Sequence, residues 1–193
     1  MSDGITEARR GTYFGTPTYK YKNEVIWFTG LPQSGKSTIA NYLNNLFTVD
    51  NRKSFVIDGD ILRKGLCSNL GFEHHDRMEN IRRAAEVTKI IYSLGYSVFA
   101  SFLTPSRLTR EIVKEIIPEV KFIYVDTPLH ICEERDTRGM YKLAREGKIK
   151  DFTGVSALFE VPEDPWMTIT SVGEIKTIGD EILIKLKQGY ETI

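Results

Sequence analysis

Gly30-Leu31-Pro32-Gln33-Ser34-Gly35-Lys36-Ser37 has the spacing G-x-x-x-x-G-K-S. Glycines at these positions let the backbone curl until successive N–H groups face inward as a nest for anions. A helix starting just beyond adds partial positive charge. Lys36 can then reach the terminal phosphates of a nucleoside triphosphate, and the Ser37 hydroxyl can hold a magnesium ion. Such a match carries weight only between a strand and a helix. Here Val25-Ile26-Trp27-Phe28 runs directly into it, and Ile39, Leu43, Leu46 and Phe47 follow at helical spacing. Gly30, Gln33, Ser34, Gly35, Lys36, Ser37 and Thr38 are the expected grip on a phosphate donor, with Lys36 acting in catalysis and Ser37 on the metal.

Asp58-Gly59-Asp60 closes the second apolar run. At positions i and i+2 of an extended chain both carboxylates point to one side, toward the phosphate loop. One can orient magnesium waters, and the other can accept a proton from an attacking hydroxyl. A turn in which the Asp-Gly pair caps the next helix is the competing reading. Arg63 lies three residues beyond Asp60, and Arg77 and Asn80 repeat that spacing on a later helix. Guanidinium forks match phosphate-like oxygens, so this set suits an anionic acceptor. A guanine-reading N-K-x-D is absent from the sequence, which argues against a GTP switch. Asp136-Thr137-Arg138-Gly139 fits D-x-x-G, but it follows a helical pattern instead of closing a strand.

These residues need a frame. Apolar runs at Val25–Phe28, Ser54–Ile57, Ser97–Phe102, Phe122–Val125 and Met167–Thr170 alternate with helical stripes, such as Ile81, Ala84, Ala85, Thr88 and Ile91. Nearly continuous apolar strands between helices indicate an α/β fold, a five-stranded parallel sheet with helices on both faces. Ligands of such folds lie beyond the carboxyl ends of the strands, where every motif above falls. Residues 136–165 interrupt the alternation, rich in Arg, Lys and Gly, and read as a lid that excludes water. Ser171-x-x-Glu174 has the form of a capping box for a last helix. Residues 1–22 read as an arm outside the core, and 23–193 as the domain. His74 and His75 lack a third metal ligand at useful spacing.

The 193-residue chain is 41% hydrophobic and 27% charged, the balance of one folded domain. Its 26 basic and 26 acidic side chains cancel, so neither nucleic acid nor a membrane surface is an expected partner. No apolar stretch approaches the roughly 20 residues that span a bilayer, and the polar start does not read as a signal peptide. Cys67 and Cys132 are isolated, as expected of buried thiols in a reducing cytoplasm.

Taken together the motifs resemble the adenylyl-sulfate kinase (APS kinase) family of P-loop kinases. The pieces are Gly30–Thr38, Asp58-Gly59-Asp60-x-x-Arg63, Leu70-Gly71-Phe72, Glu79-Asn80-Ile81-Arg82-Arg83, Ser101-Phe102-Leu103-Thr104-Pro105, Cys132-Glu133-Glu134-Arg135-Asp136 and Phe152-Thr153-Gly154, in family order over roughly residues 23–170. The resemblance implies a three-layer P-loop kinase fold, with phosphoryl transfer from ATP, with Mg2+, to the 3′-hydroxyl of adenylyl sulfate. Arg135 would join the ATP-binding set. Arg63, Arg77, Asn80 and Leu103 would hold the acceptor, with Phe72 and Phe152 sandwiching its adenine and Arg138 and Lys142 approaching from the lid. Asp60 is the implied acceptor base, with Asp58 positioning magnesium. Thr104 stands where the family carries a serine. It is a catalytic candidate, yet before Pro105 it is also a good helix N-cap. A homodimer is implied by resemblance alone. Gln33, Ile61, Ser106, Arg138 and Ser156–Phe159 depart from the family pattern. Those at Ile61, Ser106 and Ser156–Phe159 leave open the same phosphorylation of a related nucleotide anhydride; a catalytically silent nucleotide-binding regulator is the other alternative, against which the intact Lys36, Ser37, Asp58, Asp60, Arg63 and Arg77 argue.

Overall fold

The computed structural model describes residues 22–189, so the expected arm lies outside the described residues but for Lys22. Five parallel strands form one sheet in the order β2-β3-β1-β4-β5. They are β1 (Val25–Thr29), β2 (Ser54–Asp58), β3 (Ser97–Ser101), β4 (Lys121–Val125) and β5 (Met167–Ile169). Each lies within a residue or two of its expected run. The helices are α1 (Lys36–Val49), α2 (Gly59–Arg63), α3 (His74–Ser93), α4 (Arg107–Ile116), α5 (Leu129–Glu134), α6 (Met140–Arg145) and α7 (Ile175–Lys187).

Strand alternation sorts the core into two layers. Ile26 and Phe28 of β1 join Ile39, Leu43 and Phe47 of α1 and Ile178 and Ile182 of α7 on one face. Val25 and Trp27 join Ile81, Ala84 and Ala85 of α3 and Val113 of α4 on the other. All five residues of β1 are buried, as befits a central strand that must be apolar on both faces. Trp166 packs at the β5 edge, with the Lys185 ammonium 5.0 Å from its ring centroid.

Three local expectations need correction. The chain is not extended through Asp60: β2 ends at Asp58, and α2 begins at Gly59. Asp58 caps that helix, its Oδ1 accepting the Asp60 N–H at 2.9 Å. Ser171 does not cap α7, whose N-cap is Glu174 without a side-chain bond. Nor does Thr104 cap α4. Ser106 does, in a reciprocal box with Thr109. Shifting the cap by two residues leaves Pro105 ahead of the helix. The expected lid also carries the short helix α6 and a Thr153–Ala157 bridge, so it is not wholly irregular. Asp136 of the D-x-x-G match accepts the Tyr141 N–H at 2.7 Å, a helix-start contact and not a switch feature.

Gly30 lets the loop leave β1 against β4. Its φ is +151°, and a Cβ there would lie 2.6 Å from the Val125 carbonyl oxygen. Neither atom of that clash sits on a flexible side chain. Gly30→Ala is expected to destabilise the fold by about 1–3 kcal/mol, read as a thermal midpoint several degrees lower.

Candidate active site

A single cavity of about 1240 Å³ opens over the carboxyl ends of the strands and gathers the phosphate loop, the acidic pair, the arginines and the lid. Pockets for one small ligand run about 300–1,000 Å³, so there is room for a donor and an acceptor together.

On the donor side the Lys36 ammonium lies within its own loop. It donates to the Gly30 carbonyl at 2.9 Å, the Leu31 carbonyl at 2.6 Å and Ser34 Oγ at 3.3 Å. Burial lowers its pKa to about 8, against the opposing pull of Asp58 and Asp60. The loop is braced from below. The Ser34 carbonyl accepts from Ser171 Oγ at 2.5 Å and from Thr127 Oγ1 at 2.8 Å. Arg135 donates to Ser171 Oγ at 2.6 Å and to the Ser171 carbonyl at 2.7 Å. At Gly35, with φ +99°, a Cβ would meet Ser171 Oγ at 2.6 Å, so this brace needs glycine. Gln33, at φ 60°, takes a left-handed turn residue's conformation without being glycine.

Between the two sides stands the acidic pair. Ser37 Oγ donates to Asp58 Oδ2 at 2.5 Å and lies 3.0 Å from Ser101 Oγ. Asp60 Oδ2 pairs with Arg138 Nη1 at 3.3 Å, both side chains about two-thirds exposed at 66% and 68%. That pair links α2 to the lid. Although α2 turns the chain, both carboxylates line the one cavity.

On the acceptor side Phe72 is 66% exposed, its ring 4.4 Å from the Arg63 guanidinium. Arg63 also donates to the Gly71 carbonyl at 3.0 Å. Arg77 donates from Nε to the Phe72 carbonyl at 2.6 Å and from Nη2 to the Asp151 carbonyl at 2.8 Å. One guanidinium therefore ties the Phe72 turn to the lid. Its burial, then its neighbour Arg63, hold its pKa below the usual arginine range. Phe152 meets Tyr141 edge-on at 5.0 Å, and its N–H donates to Ser156 Oγ at 3.0 Å. Asn80 is buried, and its Nδ2 has no hydrogen-bond partner, a donor left free at the cavity wall.

Of the expected site residues, Gly30 and Ser34 are buried members of the loop outside the cavity lining, and Lys142 is exposed on α6 away from it. Lys148 and Lys150 line it instead, from the same basic stretch of lid. The Thr104 hydroxyl is turned into the core. It accepts from the Trp27 indole N–H at 2.9 Å, and the residue has no solvent exposure. Sequence reasoning missed Ser101, Thr127, Tyr141 and the bracing role of Ser171. Ser101, Thr127 and Ser171 are small hydroxyl residues at or just past strand ends, and Tyr141 lies on α6 within the lid.

A parallel sheet, a Gly-Lys-Ser loop entering a helix, and an acidic pair facing both define a P-loop phosphotransferase. The family model for adenylylsulphate kinase matches residues 22–170. An adenylyl-sulfate kinase of Aeromonas salmonicida is 42% identical over 168 residues, 86% of each chain. One from Acaryochloris marina is 47% identical over 152 residues, 78% of this chain and 74% of its own. Among solved structures, the Mycobacterium tuberculosis APS kinase CysC in complex with AMPPNP and APS aligns with a TM-score of 0.82 at 33% identity, covering 85% of this chain and 97% of that one. The chain belongs to the adenylylsulphate kinase family. Both cysteines are buried and free, and among the described residues no helix is long and apolar enough to cross a membrane.

Proposed function

We propose that the protein transfers the γ-phosphoryl group of ATP to the 3′-hydroxyl of adenylyl sulfate, giving 3′-phosphoadenylyl sulfate and ADP. The observation that carries this reading is the single cavity in which Lys36 and Ser37 face Asp58 and Asp60, with Arg63, Phe72, Arg77 and Phe152 beyond. The acceptor oxygen attacks the γ-phosphorus, the bond to the β,γ-bridging oxygen breaks, and the hydroxyl proton passes to Asp60. A loose transition state asks little of a base, so orientation is the larger part of that role. Lys36 neutralises charge gathering on the transferring oxygens.

The Ser37 hydroxyl and Asp58 carboxylate, 2.5 Å apart, form a hard-oxygen corner that fits Mg2+. Among the described residues no three His, Cys, Asp or Glu side chains are grouped so as to hold a metal ion by themselves. Mg2+ needs no such group, because it is held by one or two protein oxygens together with substrate phosphates. When bound it supplies charge neutralisation at the β- and γ-phosphates.

Purified protein with Mg-ATP should convert adenylyl sulfate to its 3′-phosphate and ADP in equal amounts, followed by chromatography. Absence of that product sinks the assignment, and competing nucleotide anhydrides in the same mixture test the related-acceptor reading that the departures at Ile61, Ser106 and Ser156–Phe159 motivate. Phe72→Ala should raise the acceptor KM about tenfold and leave the ATP KM unchanged, since stacking on a base contributes about 1–3 kcal/mol. We also propose a homodimer, with the hexameric APS kinase of Thiobacillus denitrificans, 27% identical, as a self-associating structural relative. Light scattering of the full chain measures it.

A further inference from the structure

Thr104 has φ +40°, rare for any residue but glycine and a genuine outlier for a β-branched one. Such strain persists only where the surroundings over-determine it. Three donors do so here. The Trp27 indole N–H reaches Thr104 Oγ1 at 2.9 Å. Thr29 Oγ1 lies 2.9 Å from the Leu103 carbonyl and 3.2 Å from the Thr104 carbonyl. The largely buried Arg110 adds Nη1 to the Thr104 carbonyl at 3.3 Å. Trp27 is itself fixed, fully buried and stacked on Phe102 at 4.8 Å.

This corner faces function on its other side. Leu103, Thr104 and Pro105 line the main cavity. Pro105 and Ser106 also share a second, smaller cavity with Phe72, Arg77 and Asp151, which places the corner against the acceptor wall and away from the Arg135–Ser171 end. β3, which leads into it, pairs Ser101 with Asp58.

We propose that Trp27 is a positioning residue for the acceptor: its indole N–H, through the Thr104 hydroxyl, holds the strained Leu103–Pro105 corner that forms the floor of the acceptor half. The assignment of that half rests on the proposed function. The Thr104 hydroxyl on this reading is a structural acceptor and carries no phosphoryl group. A phosphorylated Thr104 would break the indole bond and place a dianion where there is no solvent.

The test is steady-state kinetics of the full chain with Mg-ATP and adenylyl sulfate. Trp27→Phe and Thr104→Val each remove one side of the bond. Each should raise the acceptor KM about tenfold, the effect of one unpaired buried donor or acceptor. kcat and the ATP KM should stay within about twofold. Thr104→Ser should restore the acceptor KM, and the double variant should be no worse than either single one, because both delete the same interaction. The proposal falls if Thr104→Val collapses kcat while Trp27→Phe does not, if neither changes the acceptor KM, or if mass spectrometry finds phosphothreonine at 104 after incubation with Mg-ATP alone. Should the unsubstituted protein not use adenylyl sulfate, the acceptor assignment fails separately. Hydrogen exchange at Leu103, Thr104 and Ser106 then decides the corner: faster exchange in both variants supports the Trp27 bond as its holder, and unchanged exchange refutes it.

Discussion

Lys36→Ala should cut kcat/KM for ATP by about 10²–10³-fold, the scale of removing one preorganised charge donor from a transition state. Lys36 is the cation seated within the phosphate loop itself, bonded to the Gly30 and Leu31 carbonyls. The two arginines nearest the donor side are engaged elsewhere, Arg135 with Ser171 and Arg138 with Asp60. The same lysine predicts a pH limb. Burial lowers its pKa to about 8, so the ammonium is present below that pH and is lost as pH rises through it. kcat/KM for ATP, which reports the free enzyme, should therefore fall above pH about 8. A flat profile from pH 7 to about 9.5 in the unsubstituted enzyme, with a working control reaction, contradicts this role for Lys36.

Asp60→Asn should lower kcat about a hundredfold or more while leaving ATP affinity intact, as expected for loss of a proton acceptor and orienting group. The substitution is clean. The Asp60 side chain is 66% exposed and, among the described residues, bonds only across the cleft to Arg138, whereas the cap of α2 is made by Asp58 on the Asp60 N–H. Stability should hardly change, because exposed ion pairs contribute about 0–1 kcal/mol. Turnover measured beside nucleotide titration separates the enzyme from a silent nucleotide-binding regulator, for which the substitution would change nothing.

Much of this was legible from residues alone. The five strands could be read because each is a short apolar run bounded by turn residues, and the loop because glycine, lysine and serine spacing has few other uses. Asp58 and Asp60 do form a pair, but by the helix cap, the competing expectation. The extended-chain argument fails at Gly59, and a helix cap brings both carboxylates to the cleft instead. Ser171 and Thr104 depart from expectation for a shared cause. Hydroxyl residues near helix starts fit local capping rules, yet both are taken by distant partners, Ser34 and Trp27, at sequence separations of 137 and 77. Long-range bonds leave no periodic trace. Lys142 and Lys148 look alike in a basic stretch, yet Lys142 sits on α6 away from the cleft and the chain reaches the cavity lining at Lys148, past the helix end at Arg145.

The Ser34 carbonyl, gripped by two buried hydroxyls, and the Asp60–Arg138 contact, lying open to water, imply unequal freedom to change. A solvent-facing charge pair adds little to the fold, so around the proposed base Asp60 the open side has room to vary, whereas a carbonyl anchored beneath a loop leaves no slack for a different neighbour. Substitutions on the wet side of the cleft, Asp60 itself apart, should therefore cost the fold far less than substitutions beneath the triphosphate grip.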